Sequence, residues 1–214
     1  ERLNEIGIDL QGKSVAGDDR AVLKAVVADA LRRSDLLLLT GGLGPTDDDV
    51  TREVVADLIG SPLEYHAEIF EAIAERFARR GLPTPEINRR QAMVPRGAVI
   101  LTNPNGTAPG LWIEHDRKFI GLLPGPPREL KPMLEALIEE RLLRHAGTSR
   151  LFRRLLRVAG QSESYVEERM QPLYATWLAG PTRITTTILA SLGQIELHLT
   201  AIAPSASEGQ NALD

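Results

Sequence analysis

The pattern of apolar and polar residues along the chain predicts alternating strands and helices. It predicts an amphipathic helix over Asp19–Arg33 and further helices at Val50–Ile59 and His66–Arg80. The four leucines Leu36–Leu39 are too uniformly apolar for a sheet with one wet face, and they favour a strand of a parallel sheet covered by helices. The other predicted elements are strands at Asp9–Val15, Val99–Leu101, Leu111–Glu114 and Lys118–Leu123 and helices at Glu86–Met93 and Pro126–Arg144. The alternation predicts an α/β fold of three layers, with a parallel or mixed sheet and helices on both faces.

The pattern changes near His145–Arg150, where a strand, a helix and a hairpin follow one another. These elements are predicted at Leu155–Ala159, Glu163–Leu173, Ile184–Leu189 and Gln194–Ala201, with the turn of the hairpin at Gly193. We therefore predict two domains, residues 1–147 and a small α+β domain at residues 148–214. Both ends look cut, because the chain opens on the end of a helix closed by Gly7 and finishes on the linker-like PSASEGQNALD.

Composition narrows the classes of function. Apolar residues make up 43% of the chain and charged residues 25%, as in an ordinary soluble globular protein, and the lack of cysteine fits a reducing compartment such as the cytoplasm. The formal net charge of −4 gives no positive field, so nucleic acid is not an expected partner. There is no cysteine, which excludes disulfides and thiolate metal sites. No apolar run approaches the roughly 18 residues of a membrane span, so no membrane partner is expected.

A glycine-rich loop, TGGLGPT at Thr40–Thr46, follows the strand of leucines. Ligands of open α/β sheets bind beyond the carboxyl ends of strands, where this loop lies. Gly41, Gly42 and Gly44 permit backbone angles that point successive N–H groups at one anion, and the next helix adds its positive dipole end. The spacing matches neither GxGxxG nor the Walker loop, and a tight strand-to-helix turn explains the same residues.

Three aspartates, Asp47–Asp49, directly follow this loop. Acidic residues in a first helical turn cap free N–H groups and favour the helix dipole, each by about 0.5–1 kcal/mol, and one of them suffices for that. Three carboxylates beside an anion site repel one another. A divalent cation resolves the conflict, since Mg²⁺ takes carboxylate and phosphate oxygens together. We therefore predict that the loop holds a phosphate or pyrophosphate and that one or two aspartates hold the metal.

Two further loops carry candidate residues. In LLPGPPREL, Pro124 and Gly125 are predicted to form a rigid wall of the site, the N–H groups of residues 125, 128 and 129 to face the ligand, and Arg128 or Lys131 to supply charge. Helix initiation by proline explains the same motif equally well. In NPNGTAPG, the candidates for a ribose or phosphate are Asn103, Gly106 and Thr107, and a hairpin held by Asn and Gly is the alternative. The cluster at residues 89–91 is either a solvated face or a ligand contact.

These motifs together resemble one family. TGGLGPTDDDVTREVVA looks like the signature of the CinA (competence/damage-inducible) family, and NPNGTAPG and LLPGPPRELKPM match two further motifs in the expected order. LRVAGQSESYVEERM resembles the small KH-like domain that follows, although GQSE lacks the second glycine of a KH loop, and Ser162 or Ser164 is better explained as a helix cap. The resemblance implies a MoaB/MogA-like molybdopterin-binding fold whose first strand precedes Glu1 and a small domain that continues after Asp214. Asp49 matches the acid of the GGxGxxxxD motif, whereas Asp48 stands where MogA-like proteins often carry a basic residue.

The resemblance implies a metal-dependent pyrophosphatase acting on a nucleotide diphosphate such as ADP-ribose. The predicted roles follow the motifs: Asp49 and Asp48 are catalytic and hold the metal, and the substrate-binding residues are Thr40, Gly41, Gly42, Gly44, Pro45, Thr46, Asn103, Gly106, Thr107, Pro124, Gly125 and Arg128. The expected cofactor is Mg²⁺ or another divalent metal, with K⁺ as a further candidate. The expected partners are a nucleotide or pterin phosphate and a second copy of the chain in a homodimer. The alternatives are a molybdopterin-binding adenylyltransferase and a non-catalytic assembly module for a nicotinamide-nucleotide amidase domain.

Overall fold

Helices and strands alternate along the first two thirds of the chain. The structure is a computed structural model that describes residues 2–147, 149–191 and 193–214. In chain order the elements are α1 (Arg2–Glu5), α2 (Arg20–Arg33), β1 (Leu36–Thr40), α3 (Thr51–Leu58), β2 (Leu63–Tyr65), α4 (Ala67–Ala78), a 3₁₀ helix (Glu86–Ala92), β3 (Met93–Pro95), β4 (Val99–Leu101), β5 (Gly110–His115), β6 (Lys118–Leu123), α5 (Pro127–Glu140), a 3₁₀ turn (Leu142–Arg144), β7 (Arg150–Ala159), α6 (Glu163–Ala179), β8 (Ile184–Ser191), β9 (Gln194–Ala203) and α7 (Ala206–Leu213).

The chain divides into two compact units. The larger is Gln11–Glu140, and the smaller joins the residues up to Leu10 with Arg141–Asp214. A boundary between residues 147 and 148 remains a prediction from the sequence.

The larger unit is built on a mixed sheet with strand order β1-β6-β5-β4. β1 runs parallel to β6, with Leu36 opposite Phe119 and Thr40 opposite Leu123, whereas β5 runs antiparallel to β4 and β6. The predicted parallel pairing of the leucine strand is confirmed. The carboxyl ends of β1 and β6 therefore lie side by side at one edge of the sheet.

Helices cover both faces of this sheet, so the predicted three-layer α/β class is confirmed. On one face, Ile120 and Leu122 of β6 pack in a cluster with residues of α2, α3 and α4, among them Val27, Val55 and Ile73. On the other face, a Cβ added at Gly121 would lie 3.5 Å from Leu137 Cδ2 of α5. The side chains alternate across the strand, as its period of two requires.

The leucines of β1 are half-buried rather than fully buried, because β1 is the edge strand of the sheet. The predicted strand at Asp9–Val15 is wrong, since residues 9–15 have no regular secondary structure. Its large apolar residues stay in solvent, with Leu10 53% and Val15 90% exposed. A strand needs a neighbour to take its backbone hydrogen bonds, and none of the strands in the described residues pairs with this segment.

The smaller unit contains an antiparallel sheet with strand order β7-β9-β8. The predicted hairpin is confirmed, with Ser191 opposite Gln194 and Gly193 at a φ of +76° in its turn. Alternate residues of β9, including Leu197 and Leu199, are buried. The predicted cap of the helix after GQSE is also confirmed, because Ser162 Oγ accepts from the Tyr165 N–H.

The C-terminal residues are a helix and not a linker, so the prediction for PSASEGQNALD is wrong. Ser205 caps α7 by accepting from the Glu208 N–H at 3.2 Å, which is half of the S-x-x-E capping box. Gly209 passes so close to Phe152 that a Cβ would lie 2.0 Å from the ring, and Leu213 is only 5% exposed. The small, polar residues of this segment did not indicate a helix, because only a few of them are buried and an apolar pattern is therefore missing.

We expect Ser205→Ala to destabilise α7 by about 1 kcal/mol, because the substitution leaves the Glu208 N–H without its acceptor. Hydrogen exchange of the α7 amides measures the effect. Ser207→Ala is the matched control, since this serine is exposed and lies two residues further along the chain. Equal protection of the α7 amides in the two variants would contradict the capping role.

Candidate functional site

Two loops meet at the carboxyl ends of the parallel strands β1 and β6. The Gly41 N–H donates to Leu123 O at 2.9 Å. A Cβ added at Gly125 would lie only 3.4 Å from Gly41 Cα. The two loops therefore meet at Gly41 and Gly125, with backbone packed against backbone.

Two buried apolar side chains anchor the glycine-rich loop and the start of α3 to the core. Gly41 and Gly42 have φ angles of +94° and +68°, which reverse the chain after β1. The next side chain, Leu43, is 2% exposed, and Val50 at the start of α3 is 4% exposed. The apolar core thus holds the loop at both ends, which fixes the positions of its polar groups.

The carboxylate of Asp49 lies inside the loop. Its Oδ2 accepts from the Thr46 N–H at 2.9 Å and from Thr46 Oγ1 at 2.5 Å. The N–H of Gly44 gives a further hydrogen bond, and a Cβ at Gly44 would lie 2.3 Å from Oδ2. The N–H groups of Gly44 and Thr46, which lie in the loop predicted to bind a phosphate, therefore donate to the chain's own carboxylate. The Gly41 N–H donates to Leu123 O instead.

The pKa of Asp49 is below its ordinary value. Burial raises this pKa, but the hydrogen bonds from Thr46 and from the Gly44 N–H, with the positive charge of Arg52, outweigh burial. Asp49 is therefore an ionised carboxylate at neutral pH, which is the form that binds a cation.

The lowered pKa of Asp49 predicts a pH-dependent stability. A carboxyl whose pKa is lower in the folded chain stabilises the fold fully above its unfolded value of about 4, and it loses this contribution as the pH falls through the folded value. We expect the stability advantage of the wild-type chain over Asp49→Asn to be constant from about pH 7 to about pH 5 and to shrink below about pH 4. Urea unfolding across this range measures it. An advantage that grows on acidification would contradict the assigned hydrogen bonds.

Two arginines that the sequence did not single out as a pair hold the other side of the loop. Arg52 of α3 is 1% exposed and donates to Leu43 O at 2.8 Å and to Arg90 O at 3.0 Å. Arg90 donates from Nη1 to Pro45 O at 3.3 Å, Thr46 O at 2.8 Å and Asp47 Oδ1 at 2.9 Å. The signal in the sequence was the position of Arg52 between the apolar residues Val50 and Val54 of the predicted helix.

The basic cluster at residues 89–91 divides its roles. Arg90 binds the loop, whereas the guanidinium of Arg89 lies 5.0 Å from the ring centroid of Tyr65 and 5.1 Å from that of Phe70. Gln91 is buried and accepts from Asn88 Nδ2 at 2.9 Å. Of the three residues, only Arg90 is therefore shown to bind the glycine-rich loop.

The other two aspartates are exposed. Asp47 pairs with Arg90, and Asp48 lies in solvent beside Asp49. Within the described residues, no three Asp, Glu or His side chains converge on one point as a metal cage. Mg²⁺ often takes only one or two carboxylates and completes its shell with water and substrate phosphates, so a single ionised carboxylate such as that of Asp49 suits this use.

The PGPP loop starts α5 at Pro127. The Glu129 N–H donates to Pro126 O at 2.9 Å, so it does not face a ligand as the sequence analysis expected. Arg128 is exposed, and its Nε lies 3.7 Å from Glu129 Oε1. Helix initiation therefore explains this end of the motif, while the contact of Gly125 with Gly41 belongs to the site.

The NPNGT loop is closed by Asn103. Its Oδ1 accepts from the N–H groups of residues 105 and 106, and its Nδ2 donates to Ala108 O and to Glu129 Oε2, both at 2.8 Å. These four bonds use the whole amide, so Asn103 shapes the loop. Asn105 Nδ2 donates to Arg128 O at 2.8 Å and ties the loop to α5.

A separate cleft of about 340 Å³ lies between α4 and the NPNGT loop. Its lining includes Gly106 and Thr107 of the loop, together with Ile73 and Arg76 of α4. The predicted site residues therefore occupy two places in the larger unit, the paired loops around Asp49 and this cleft.

Comparison with known proteins identifies the family. A family model described as "Probable molybdopterin binding domain" matches residues 1–144. A CinA-like protein of Koribacter versatilis is 40% identical over 218 residues, which cover 100% of this chain and 52% of the relative. A CinA-like protein of Solibacter usitatus is 42% identical over 211 residues, which cover 99% of this chain and 50% of the relative. The chain belongs to the CinA family.

Its CinA relatives are longer, and the chain spans about half the length of the curated relatives that it matches. A solved structure, the protein CinA of unknown function from Thermoplasma acidophilum, is 32% identical with a TM-score of 0.52, and the match covers 57% of this chain and 72% of that chain. None of the helices in the described part of the chain is long and apolar enough to span a bilayer.

Proposed function

We propose that this CinA chain carries the active site of a metal-dependent nucleotide-diphosphate hydrolase and that ADP-ribose is its substrate. Hydrolysis of the diphosphate bond adds one water and releases AMP and a ribose phosphate. The observation that supports the proposal is the ionised carboxylate of Asp49, held by Gly44 and Thr46 at the carboxyl ends of β1 and β6. Ligands of open α/β sheets bind at such an edge.

Asp49, with Asp48, would hold a divalent cation, which supplies charge neutralisation at the phosphoryl oxygens when it is bound. Asp49 has one oxygen, Oδ2, committed to Thr46, and its position is fixed by that bond. Gly41 and Gly125 leave the floor between the two loops free of side chains, so that backbone alone would lie against the diphosphate. The remaining predicted contacts, Thr40, Pro45, Pro124 and Arg128, stay proposals.

The direct test is an assay of this chain with ADP-ribose and Mg²⁺, with AMP followed by ³¹P NMR. We expect AMP to form with Mg²⁺ and not with excess EDTA. Parallel reactions with Mn²⁺ and with added K⁺ identify the ions used. No AMP under any of these conditions would overturn the proposal.

A second candidate function is supported by the molybdopterin-binding family model that matches residues 1–144. The same loops would then hold a pterin phosphate and a nucleotide, and the adenylyl group of ATP would pass to the phosphate with release of pyrophosphate. Pyrophosphate formed only when a pterin phosphate is present distinguishes this reaction from hydrolysis.

A third candidate is a non-catalytic module that assembles an amidase domain, and any metal-dependent turnover would exclude it.

The proposed oligomeric state of the chain is a homodimer. Sedimentation equilibrium measures its mass, and a monomer at micromolar concentration would overturn that assignment.

A further inference from the structure

Three carbonyl groups of the glycine-rich loop accept hydrogen bonds from guanidinium groups. Arg52 takes Leu43 O, and Arg90 takes Pro45 O and Thr46 O. Arg52 is almost completely buried, and burial lowers its pKa, although the charges of Glu53 and Asp49 oppose that shift. A buried cation is costly unless its hydrogen bonds are made, so an apolar residue would fill the same space at lower cost. Arg52 therefore does more here than fill the core.

The geometry of the peptide bond transmits the effect of these arginines. In a planar trans peptide, the C=O of one residue and the N–H of the next point in opposite directions. The C=O of Leu43 points to Arg52, so the N–H of Gly44 points away from it, and the C=O of Pro45 points to Arg90, so the N–H of Thr46 points away from that side chain. These two N–H groups are the ones that bind the carboxylate of Asp49.

We infer that Arg52 and Arg90 are positioning residues, which set the orientation of the peptides 43–44 and 45–46 and thereby fix Asp49 from the opposite side of the loop. The inference rests on the proposed function only for its consequence in catalysis. Neither arginine would touch the substrate. Arg90 also binds the carboxylate of Asp47, which joins the start of the aspartate run to the same guanidinium.

Arg90→Met tests the inference, because Arg90 is 29% exposed at its side chain and its loss does not open the core. The control is Arg89→Met, which removes the neighbouring charge from two aromatic rings and leaves the loop carbonyls untouched. We expect the Thr46 amide to exchange about tenfold faster in Arg90→Met, because the substitution removes the hydrogen bond to Pro45 O that orients peptide 45–46. The Gly44 amide, whose peptide is oriented by Arg52, should change less. The amides of Ile120 and Leu122 in β6 report global opening, and the comparison is made relative to them.

A merely stabilising role would speed exchange at all four amides alike, and that result would overturn the inference. In turnover, we expect the half-saturating Mg²⁺ concentration to rise about tenfold in Arg90→Met, with KM for ADP-ribose at saturating Mg²⁺ changed less than about threefold. If the wild-type chain hydrolyses nothing but the Thr46 amide still exchanges faster, the positioning role stands and the proposed function falls. If hydrolysis occurs and the Thr46 amide is unaffected, the function stands and the positioning role falls.

Discussion

Asp49→Asn is expected to lower kcat for Mg²⁺-dependent hydrolysis of ADP-ribose by about 10²–10³-fold. A bound divalent cation is worth several kcal/mol of transition-state stabilisation, and each 1.36 kcal/mol corresponds to a factor of ten. Asparagine keeps the shape of the side chain and an oxygen that accepts from Thr46, so the loop retains most of its hydrogen bonds. The variant therefore removes the charge at nearly constant geometry.

The matched control is Asp47→Asn, which removes the same charge two residues earlier in the same loop. Asp47 is fully exposed and its ion pair with Arg90 is of the kind that contributes about 0–1 kcal/mol, so we expect less than about a fivefold change in kcat. Thermal unfolding of both variants shows that they are folded. Equal rates for Asp49→Asn and the wild-type chain would remove Asp49 from catalysis.

The strands and helices were predictable where local pattern and tertiary packing agree. The run Leu36–Leu39 has a single interpretation, and it forms β1 parallel to β6. The pattern of apolar and polar residues failed to predict secondary structure where that structure depends on a partner far away in the sequence. Residues 9–15 were predicted as a strand, yet no described strand pairs with them. Helix α7 is held by a serine cap and a contact of Gly209 with Phe152 that composition does not reveal.

The candidate site was predictable in its parts and not in its arrangement. In the sequence, glycines that favour anion binding stand beside aspartates that oppose it, and we predicted that a bound cation reconciles the two. The structure adds a second explanation for the aspartates, because the carboxylate of Asp49 itself accepts from N–H groups that an anion would use. Arg52 and Arg90 escaped notice as a pair because they are 38 residues apart in sequence and meet only through backbone carbonyls.

Gly42→Ala is expected to destabilise the larger unit by about 2–5 kcal/mol, through two effects that add. A left-handed backbone costs an alanine about 1–2 kcal/mol, and the φ of Gly42 is +68°. A Cβ there would also lie 2.1 Å from Thr51 Oγ1 and 3.0 Å from Thr51 Cβ, and overpacking of this kind costs about 1–3 kcal/mol. Thr51 is 7% exposed, so it has little room to move.

Gly60→Ala separates the two effects. Gly60 has a φ of +64°, and a Cβ there would meet nothing within 4 Å, so we expect only the backbone cost of about 1–2 kcal/mol. Urea unfolding followed by the fluorescence of Trp112, in a Trp177→Phe background, reports on the larger unit. Similar losses in the two variants would show that the loop shifts away from Thr51 at no cost.

A double-mutant cycle with Thr51→Ala then locates the clash. Removing Oγ1 takes away the nearest atom and leaves Thr51 Cβ at 3.0 Å, so Gly42→Ala should cost less in this background than in the wild-type chain. The same contact holds the first residues of the loop against α3, whose next residue is Arg52. A clash at Gly42 must therefore displace either α3 or the loop, and in both cases the hydrogen bond from Arg52 to Leu43 O is strained along with it. If the cycle shows no coupling between residues 42 and 51, the loop is free to move without α3, and the fixed position assigned to Asp49 loses its support.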